Sequence, residues 1–214
     1  MSTVKTRGSL IVLSGFAGVG KGTVLKSLFE TQEGYAYSVS ATTRQPRPGE
    51  VDGVHYFFVS KERFEEMIRD DELLEHASYV GNYYGTPRAY VEQKLDEGFD
   101  VILEIEVQGA LKIKERVPEA VLIYMLPPSA DILYERLKGR GTETDEVIGR
   151  RMKKAAQEAE SVEQYDYMVV NDDADECAAR LHALIRSQRQ RVRSSLPFIR
   201  KLAKELANMS EKER

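Results

Sequence analysis

The stretch Gly15-Phe16-Ala17-Gly18-Val19-Gly20-Lys21-Gly22-Thr23 constrains this chain more than any other. It follows Ser9 to Ser14 (SLIVLS), a short apolar run rich in β-branched residues that reads as a buried strand. It precedes Thr23 to Phe29 (TVLKSLF), whose apolar spacing is helical. A strand, a glycine-rich turn and a helix, in that order, open an α/β nucleotide fold. The pattern is G-x-x-x-x-G-K. Its glycines let several backbone N–H groups aim at one point, and the next helix adds its positive end. Lys21 can reach the β- and γ-phosphates of a bound nucleotide. The strict pattern has Ser or Thr directly after the lysine. Here Gly22 stands there and Thr23 follows, so Thr23 is a candidate for Mg²⁺ or the α/β-phosphates, with no certain protein ligand for the metal. By itself the loop says only that the chain binds a nucleoside triphosphate.

The remaining pattern is that of an α/β protein. Tyr35 to Thr43 is strand-like, and Gln45-Pro46-Arg47-Pro48-Gly49 is irregular because both prolines fix φ and lack an N–H. Val54 to Val59 is a strand candidate, and Ser60 caps a helix that runs to about Asp70. Gly81 to Thr86 is turn-rich, and Pro87 to Glu97 reads as a helix. Phe99 to Val107, Ala120 to Met125 and Tyr167 to Val170 supply further core strands. Alternation across Glu104-Ile105-Glu106 puts both carboxylates on one face at the carboxyl end of a strand, where ligands of open α/β sheets sit. Helices are expected over Ser129 to Leu137, Asp145 to about Gln164 and Ala174 to Arg186. The polar, basic tail from Ser187 to Arg214, interrupted by Pro197, reads as one or two exposed helices, a solvated extension or else a subunit contact.

The 214 residues suffice for one domain with small inserted lobes. A net charge of −4 gives no global attraction to nucleic acid or anionic lipid, so phosphate binding must come from local Arg and Lys clusters. The lone Cys177 cannot close an intrachain disulfide, which fits a reducing cytosol and a buried, inert thiol. Lys5 and Arg7 before Leu10-Ile11-Val12-Leu13 loosely resemble a signal peptide, but the apolar run is short and leads into the phosphate loop. No run approaches the ~18 apolar residues of a membrane helix. The expectation is a cytoplasmic, unanchored protein without nucleic-acid or membrane partners.

The discriminating residues lie between Ser38 and Thr86. Ser40-Ala41-Thr42-Thr43-Arg44-Gln45-Pro46-Arg47-Pro48-Gly49-Glu50 is followed by Tyr56-Phe57, Glu75 and Asn82-Tyr83-Tyr84-Gly85-Thr86. Arg44 and Arg47, three apart on a proline-stiffened segment, offer two guanidinium forks to a dianionic phosphate, and Tyr56 and Tyr84 can add neutral donors. Guanine presents an N1–H and N2–H₂ donor edge that a carboxylate accepts in a bidentate way. The chain here resembles the guanylate kinase family, whose motifs recur in order across about residues 8–186. The resemblance implies that Arg44, Arg47, Tyr56 and Tyr84 hold the GMP phosphate and that Glu75 takes the guanine donor edge. It further implies that Ser40, Gly85 and Thr86 complete the site, with hydroxyls on O6 and N7, and that Glu106 contacts the guanine amino group or orients Mg²⁺ waters. A site built around such bonds can reject the adenine analogue by roughly 10⁴–10⁵.

Tyr134-Glu135-Arg136-Leu137-Lys138-Gly139-Arg140-Gly141-Thr142-Glu143 resembles the lid of that family. Arg136, Arg140 and Arg151 are then the mobile cations that stabilise the transferring phosphoryl group and exclude water on closure. Arg150 neighbours Arg151, and either could point inward. Asn171, at the end of the last core strand, would lie near the adenine of ATP. The chain departs from the family in carrying Phe16-Ala17 where Pro-Ser is usual; the backbone cradle does not depend on that serine.

The implied fold is an α/β, three-layer P-loop core around a central parallel sheet, with an inserted GMP-binding lobe and a helical lid. The core comprises 1–37, 99–129 and 161–214 with its helical tail, the lobe 38–98 and the lid 130–160. The implied reaction is reversible transfer of the γ-phosphoryl group of ATP, with Mg²⁺, onto GMP, by a monomer or homodimer serving purine nucleotide metabolism and GMP recycling. Two other readings compete. One is a catalytically weak guanylate-kinase-like module that captures phosphopeptides; such modules have degraded phosphate loops. The other is a kinase of AMP or CMP, against which the S-A-T-T-R segment, Glu75 and N-Y-Y-G-T argue.

Overall fold

Strand β1 (Leu10–Gly15) is apolar on both faces, as a central parallel strand must be. In the computed structural model, which describes residues 7–79, 81–139, 144–192 and 196–212, it lies in the middle of a five-stranded sheet. Its neighbours are β7 (Asp100–Glu104) on one side and β8 (Val121–Leu126) on the other. The edges are β2 (Tyr35–Tyr37), beside β7, and β9 (Tyr167–Val170), beside β8, and every pairing is parallel.

Alternation along these strands divides the core into two layers. Ile11, Leu13, Ile102, Val121 and Ile123 face one side, where α1 (Lys21–Thr31), α5 (Ala130–Lys138), α6 (Asp145–Ala159) and α7 (Ala174–Gln188) cover them. Leu10, Val12, Val101, Leu103 and Leu122 face the other, under α3 (Arg88–Asp96) and α4 (Val107–Arg116). The result is a three-layer α/β/α core. Cys177, on α7, is fully buried in the first layer, and burial pushes its thiol pKa up.

A second, four-stranded mixed sheet is built from residues between the first core strands. Its order is β4 (Phe57–Phe58), β3 (Ala41–Thr42), β6 (Asn82–Pro87), β5 (Leu73–Tyr79). Its own small core is Ala41, Phe64, Met67 and Leu73, with α2 (Lys61–Arg69) across it. The Ser60 hydroxyl caps α2 by accepting the Arg63 N–H at 3.1 Å.

Several sequence expectations need correction. Tyr35 to Thr43 is not one strand: the chain leaves the large sheet after Tyr37 and joins the small one at Ala41. Val54 to Val59 shortens to Phe57–Phe58, because Val54 and His55 close a turn onto the Val51 carbonyl and Val54 is exposed. Gly81 to Thr86 is not a loop but most of β6, which pairs antiparallel with β5, a strand the sequence did not reveal. Strand β7 ends at Glu104, so Glu106 is not on it; Glu106 is the N-cap residue of α4, a helix the apolar pattern had been too weak to announce. The long helix from Asp145 stops at Ala159, where Val162 and Tyr165 turn into the core through a 3₁₀ turn.

The tail is two different things. Residues up to Arg191 are tied to the core: Gln188 is buried, Arg189 donates to Asp100 and Gly98, and Arg191 to the Tyr167 hydroxyl. Helix α8 (Leu196–Lys212) is exposed from Phe198 to Met209. Pro197 does not interrupt it but sits in its first turn, where a missing N–H costs nothing.

Candidate active site

The phosphate loop leaves the carboxyl end of β1 at Gly15 and enters α1 at Lys21. Gly20 has φ +98°, and a Cβ there would lie 2.5 Å from the Asn171 amide nitrogen, so only glycine fits. Val19 N–H closes the loop onto the Phe16 carbonyl at 3.1 Å. The Val19 carbonyl points to the other side and accepts twice, from Asn171 Nδ2 at 2.8 Å and Arg136 Nη1 at 3.1 Å. Asn171 is 4% exposed, at the end of β9, with its Oδ1 unpaired. It therefore acts on the loop itself, a contact the sequence could not reveal across 152 positions. Phe16, the departure from the usual proline, is buried edge-on against Tyr124 with ring centres 5.3 Å apart, while Ala17 and Gly22 are exposed. Gly18 lies against Leu137 of α5. Lys21 Nζ donates to the Gly15 carbonyl at 2.7 Å, and Thr23 is exposed in the first turn of α1.

Lys21 looks into a cleft of about 260 Å³ lined by Gly15, Ala17, Glu104, Ile105, Glu106, Lys154 and Glu158. Glu104 and Glu106 thus meet in one cavity although they are not on one strand face. Lys154, from α6, donates to Glu106 at 2.9 Å and pairs with Glu158 at 3.4 Å. The sequence reading missed Lys154 and Glu158; their spacing of four puts them on one helix face. Arg151 is three residues before Lys154, on that same face, and is half-buried. Arg150 faces away, 70% exposed and paired with Glu146 at 3.7 Å. Arg140, with residues 141–143, lies outside the described residues. Arg136 meets the phosphate loop directly, through the Val19 carbonyl.

In the small sheet, Glu75 on β5 and Thr86 on β6 form a buried pair. The Thr86 hydroxyl donates to Glu75 Oε1 at 2.9 Å. Glu75 is 7% exposed, and burial raises its pKa, while Thr86 and Lys112 pull it back down. Glu75 Oε2 reaches Gly109 of α4, where an added Cβ would lie 3.0 Å away. Gly85 is buried beside this pair, against Leu73 and Phe64. Ser40 lies between β2 and β3, half-buried, its carbonyl accepting from Phe57 N–H.

Arg44 lies over the rings of Tyr56 and Phe58, at 5.3 and 5.8 Å. Tyr56 and Tyr84 meet edge-to-face at 6.1 Å, and burial raises the Tyr56 pKa. The structure therefore brings Arg44, Tyr56 and Tyr84 together, and Arg47 follows on the same loop, exposed. Glu50 holds that loop: it takes Arg44 in a bidentate pair and the Arg47 N–H at 2.7 Å. Sequence reasoning gave Glu50 no role, although the R-P-G-E turn would have suggested one.

Among the described residues there is no cluster of three or more His, Cys, Asp and Glu placed to hold a metal ion. No helix among them is long and apolar enough to cross a membrane.

A chain from Halalkalibacterium halodurans named guanylate kinase is 57% identical over 184 residues, 86% of this chain and 90% of that one. Another of the same name, from Lactococcus lactis subsp. lactis, is 53% identical over 189 residues, 88% of this chain and 92% of that one. The crystal structure of guanylate kinase from Anaplasma phagocytophilum superposes with a TM-score of 0.70 at 36% identity, covering 88% of this chain and 90% of that one. The family model described as guanylate kinase matches residues 7–188, from Arg7, which pairs with Asp96 of α3, to the buried Gln188, and the chain belongs to the guanylate kinase family.

Proposed function

We propose that the protein transfers the γ-phosphoryl group of ATP to GMP, giving ADP and GDP, reversibly and without a covalent enzyme intermediate. The observation that carries this reading is that one chain holds both a formed phosphate loop with Lys21 and, in a separate lobe, the buried Glu75–Thr86 pair. ATP occupies the loop Gly15–Thr23 near Asn171. GMP occupies the lobe 38–98, with its phosphate on Arg44, Arg47, Tyr56 and Tyr84 and its base on Glu75, Thr86, Ser40 and Gly85. Glu106 stands at the cleft between them, where its present partner is Lys154.

An oxygen of the GMP phosphate attacks the γ-phosphorus, and the bond to the β–γ bridging oxygen breaks as the new one forms. The attacking phosphate is already a good nucleophile, so no general base is required. Lys21, Arg44, Arg136, Arg140 and Arg151 stabilise charge on the transferring oxygens, and closure of segment 130–160 excludes water. Mg²⁺ supplies charge neutralisation on the ATP phosphates. The ion would be carried mainly by phosphates and water, with the exposed Thr23 hydroxyl as its candidate protein ligand in the loop. The buried, single Cys177 suits a reducing cytoplasm.

The test is ADP release with ATP-Mg against GMP, AMP, CMP and UMP. Turnover with GMP alone, at roughly 1–100 s⁻¹, supports the assignment. Nucleotide binding without turnover would favour a binding module instead.

A further inference from the structure

Arg44 is not a free fork. A guanidinium has five N–H donors in one plane. Nη1 gives one to Glu50 Oε2 at 3.0 Å and another to the Gln45 carbonyl at 2.7 Å. Nη2 gives one to Glu50 Oε1 at 2.8 Å. The end-on edge and the outer Nη1 position are therefore taken. Two donors are not used by Glu50 or Gln45, the Nε hydrogen and the second Nη2 hydrogen, and these lie parallel on one edge. The Tyr84 hydroxyl also hydrogen-bonds the Arg44 guanidinium. The stacked Tyr56 and Phe58 rings fix the plane in which that edge lies.

Glu50 is equally fixed. Arg47-Pro48-Gly49-Glu50 is a tight turn closed by Glu50 N–H to the Arg47 carbonyl at 3.0 Å, with Gly49 at φ +86° as such a turn requires. The Glu50 carboxylate also accepts the Arg47 N–H at 2.7 Å. Moving it away would leave that N–H and two guanidinium hydrogens without their acceptor. It is a structural member of the loop rather than a stand-in for the ligand.

We infer that Glu50 is a positioning residue for the acceptor phosphate: by occupying the end-on edge of Arg44, it presents the Nε–Nη2 edge as the one on which the phosphate is held. This rests on the reading that Arg44 belongs to the GMP phosphate site. The Arg44 guanidinium holds the Glu50 carboxyl at about 2, so the pair persists across the working pH range.

The test compares GMP with guanosine, which lacks the phosphate, by calorimetry on the full chain and on Glu50→Gln. The expected result is GMP affinity weakened at least roughly tenfold, about one charge-assisted hydrogen bond. Guanosine affinity and KM for ATP should be unchanged. Equal losses for GMP and guanosine would make Glu50 merely structural, and tighter GMP binding would make it a competitor; either overturns the proposal. If Glu50→Gln melts too low to assay, Glu50→Asp keeps the charge but cannot span both nitrogens, and the same phosphate-selective loss is expected. Wild-type protein that binds GMP no better than guanosine would instead overturn the assignment of the phosphate site itself.

Discussion

The Thr86 hydroxyl donates to a Glu75 carboxylate that is almost fully buried, 2.9 Å away across the β5–β6 pair. A buried carboxylate with a neutral partner and open acceptor capacity is costly to maintain without a ligand. Glu75→Gln keeps the shape and removes the charge. kcat/KM with GMP should fall roughly 10²–10³-fold, while Tm holds or rises slightly because desolvation is relieved. Parallel kinetics and melting curves check this; loss of both together would mean that Glu75 serves the fold.

The same burial gives a pH dependence with a definite sign. The folded pKa of Glu75 lies above its unfolded value, chiefly through desolvation. Its contribution to stability is then full below the unfolded pKa and is lost as pH rises through the folded one. Base binding runs the other way, because only the carboxylate accepts both guanine donors. Guanosine affinity should rise as pH climbs through the raised value and be flat in Glu75→Gln. Guanosine is the probe because it has no phosphate to titrate; an affinity that falls only in the ordinary carboxylate range would contradict the argument.

Lys21→Ala should abolish turnover, a loss of at least about 10²-fold in kcat, while GMP binding persists. The loop and the small sheet are separate structures, so the two sites should separate in calorimetry. GMP binding lost along with turnover would refute that separation.

Gly20→Ala should cost about 1–3 kcal/mol, because φ is +98° and the new Cβ meets Asn171, whose bond to Val19 holds the loop. Gly22→Ala is the control, since its Cβ meets no atom within 4 Å. The expected outcome is a lower Tm and a raised KM for ATP in the first variant, with Tm retained in the second.

Arg189→Ala should destabilise by about 2–3 kcal/mol, lowering Tm by about 5–10 °C. It would leave Asp100, 1% exposed, with the Ser9 N–H as its carboxylate's partner among the described residues. Truncation after Lys201, which keeps this bond, should leave Tm unchanged.

What could be read in the sequence was local. The loop Gly15–Thr23 announces itself because its glycines, lysine and flanking apolar runs are contiguous. The β1 and β8 strands are legible because burial on both faces demands unbroken apolar residues, and β9 is a short apolar run although Met168 on it is exposed. The Ser60 cap of α2 shows because its hydroxyl and the N–H that it accepts are three residues apart. Strands β5 and β6 escaped because LLEHASY and NYYGTP carry polar groups, and the burial of Glu75 and Thr86 among them is set by the partner strand and by α4. Glu106 was misplaced because alternation cannot say where a strand stops.

The sequence by itself determined the family and supplied the residues proposed for two nucleotide sites, since each motif follows the chemistry of phosphate or guanine. Only the tertiary structure decided how those residues are held. The Val19 carbonyl shared by Arg136 and Asn171, the edge of Arg44 left open by Glu50, the pairing of Lys154 with Glu106 and the anchoring of Arg189 on Asp100 are relationships of orientation, most of them between residues far apart in sequence. Spacing along a chain carries no orientation, and these side chains acquire one only when the two sheets and their helices have packed.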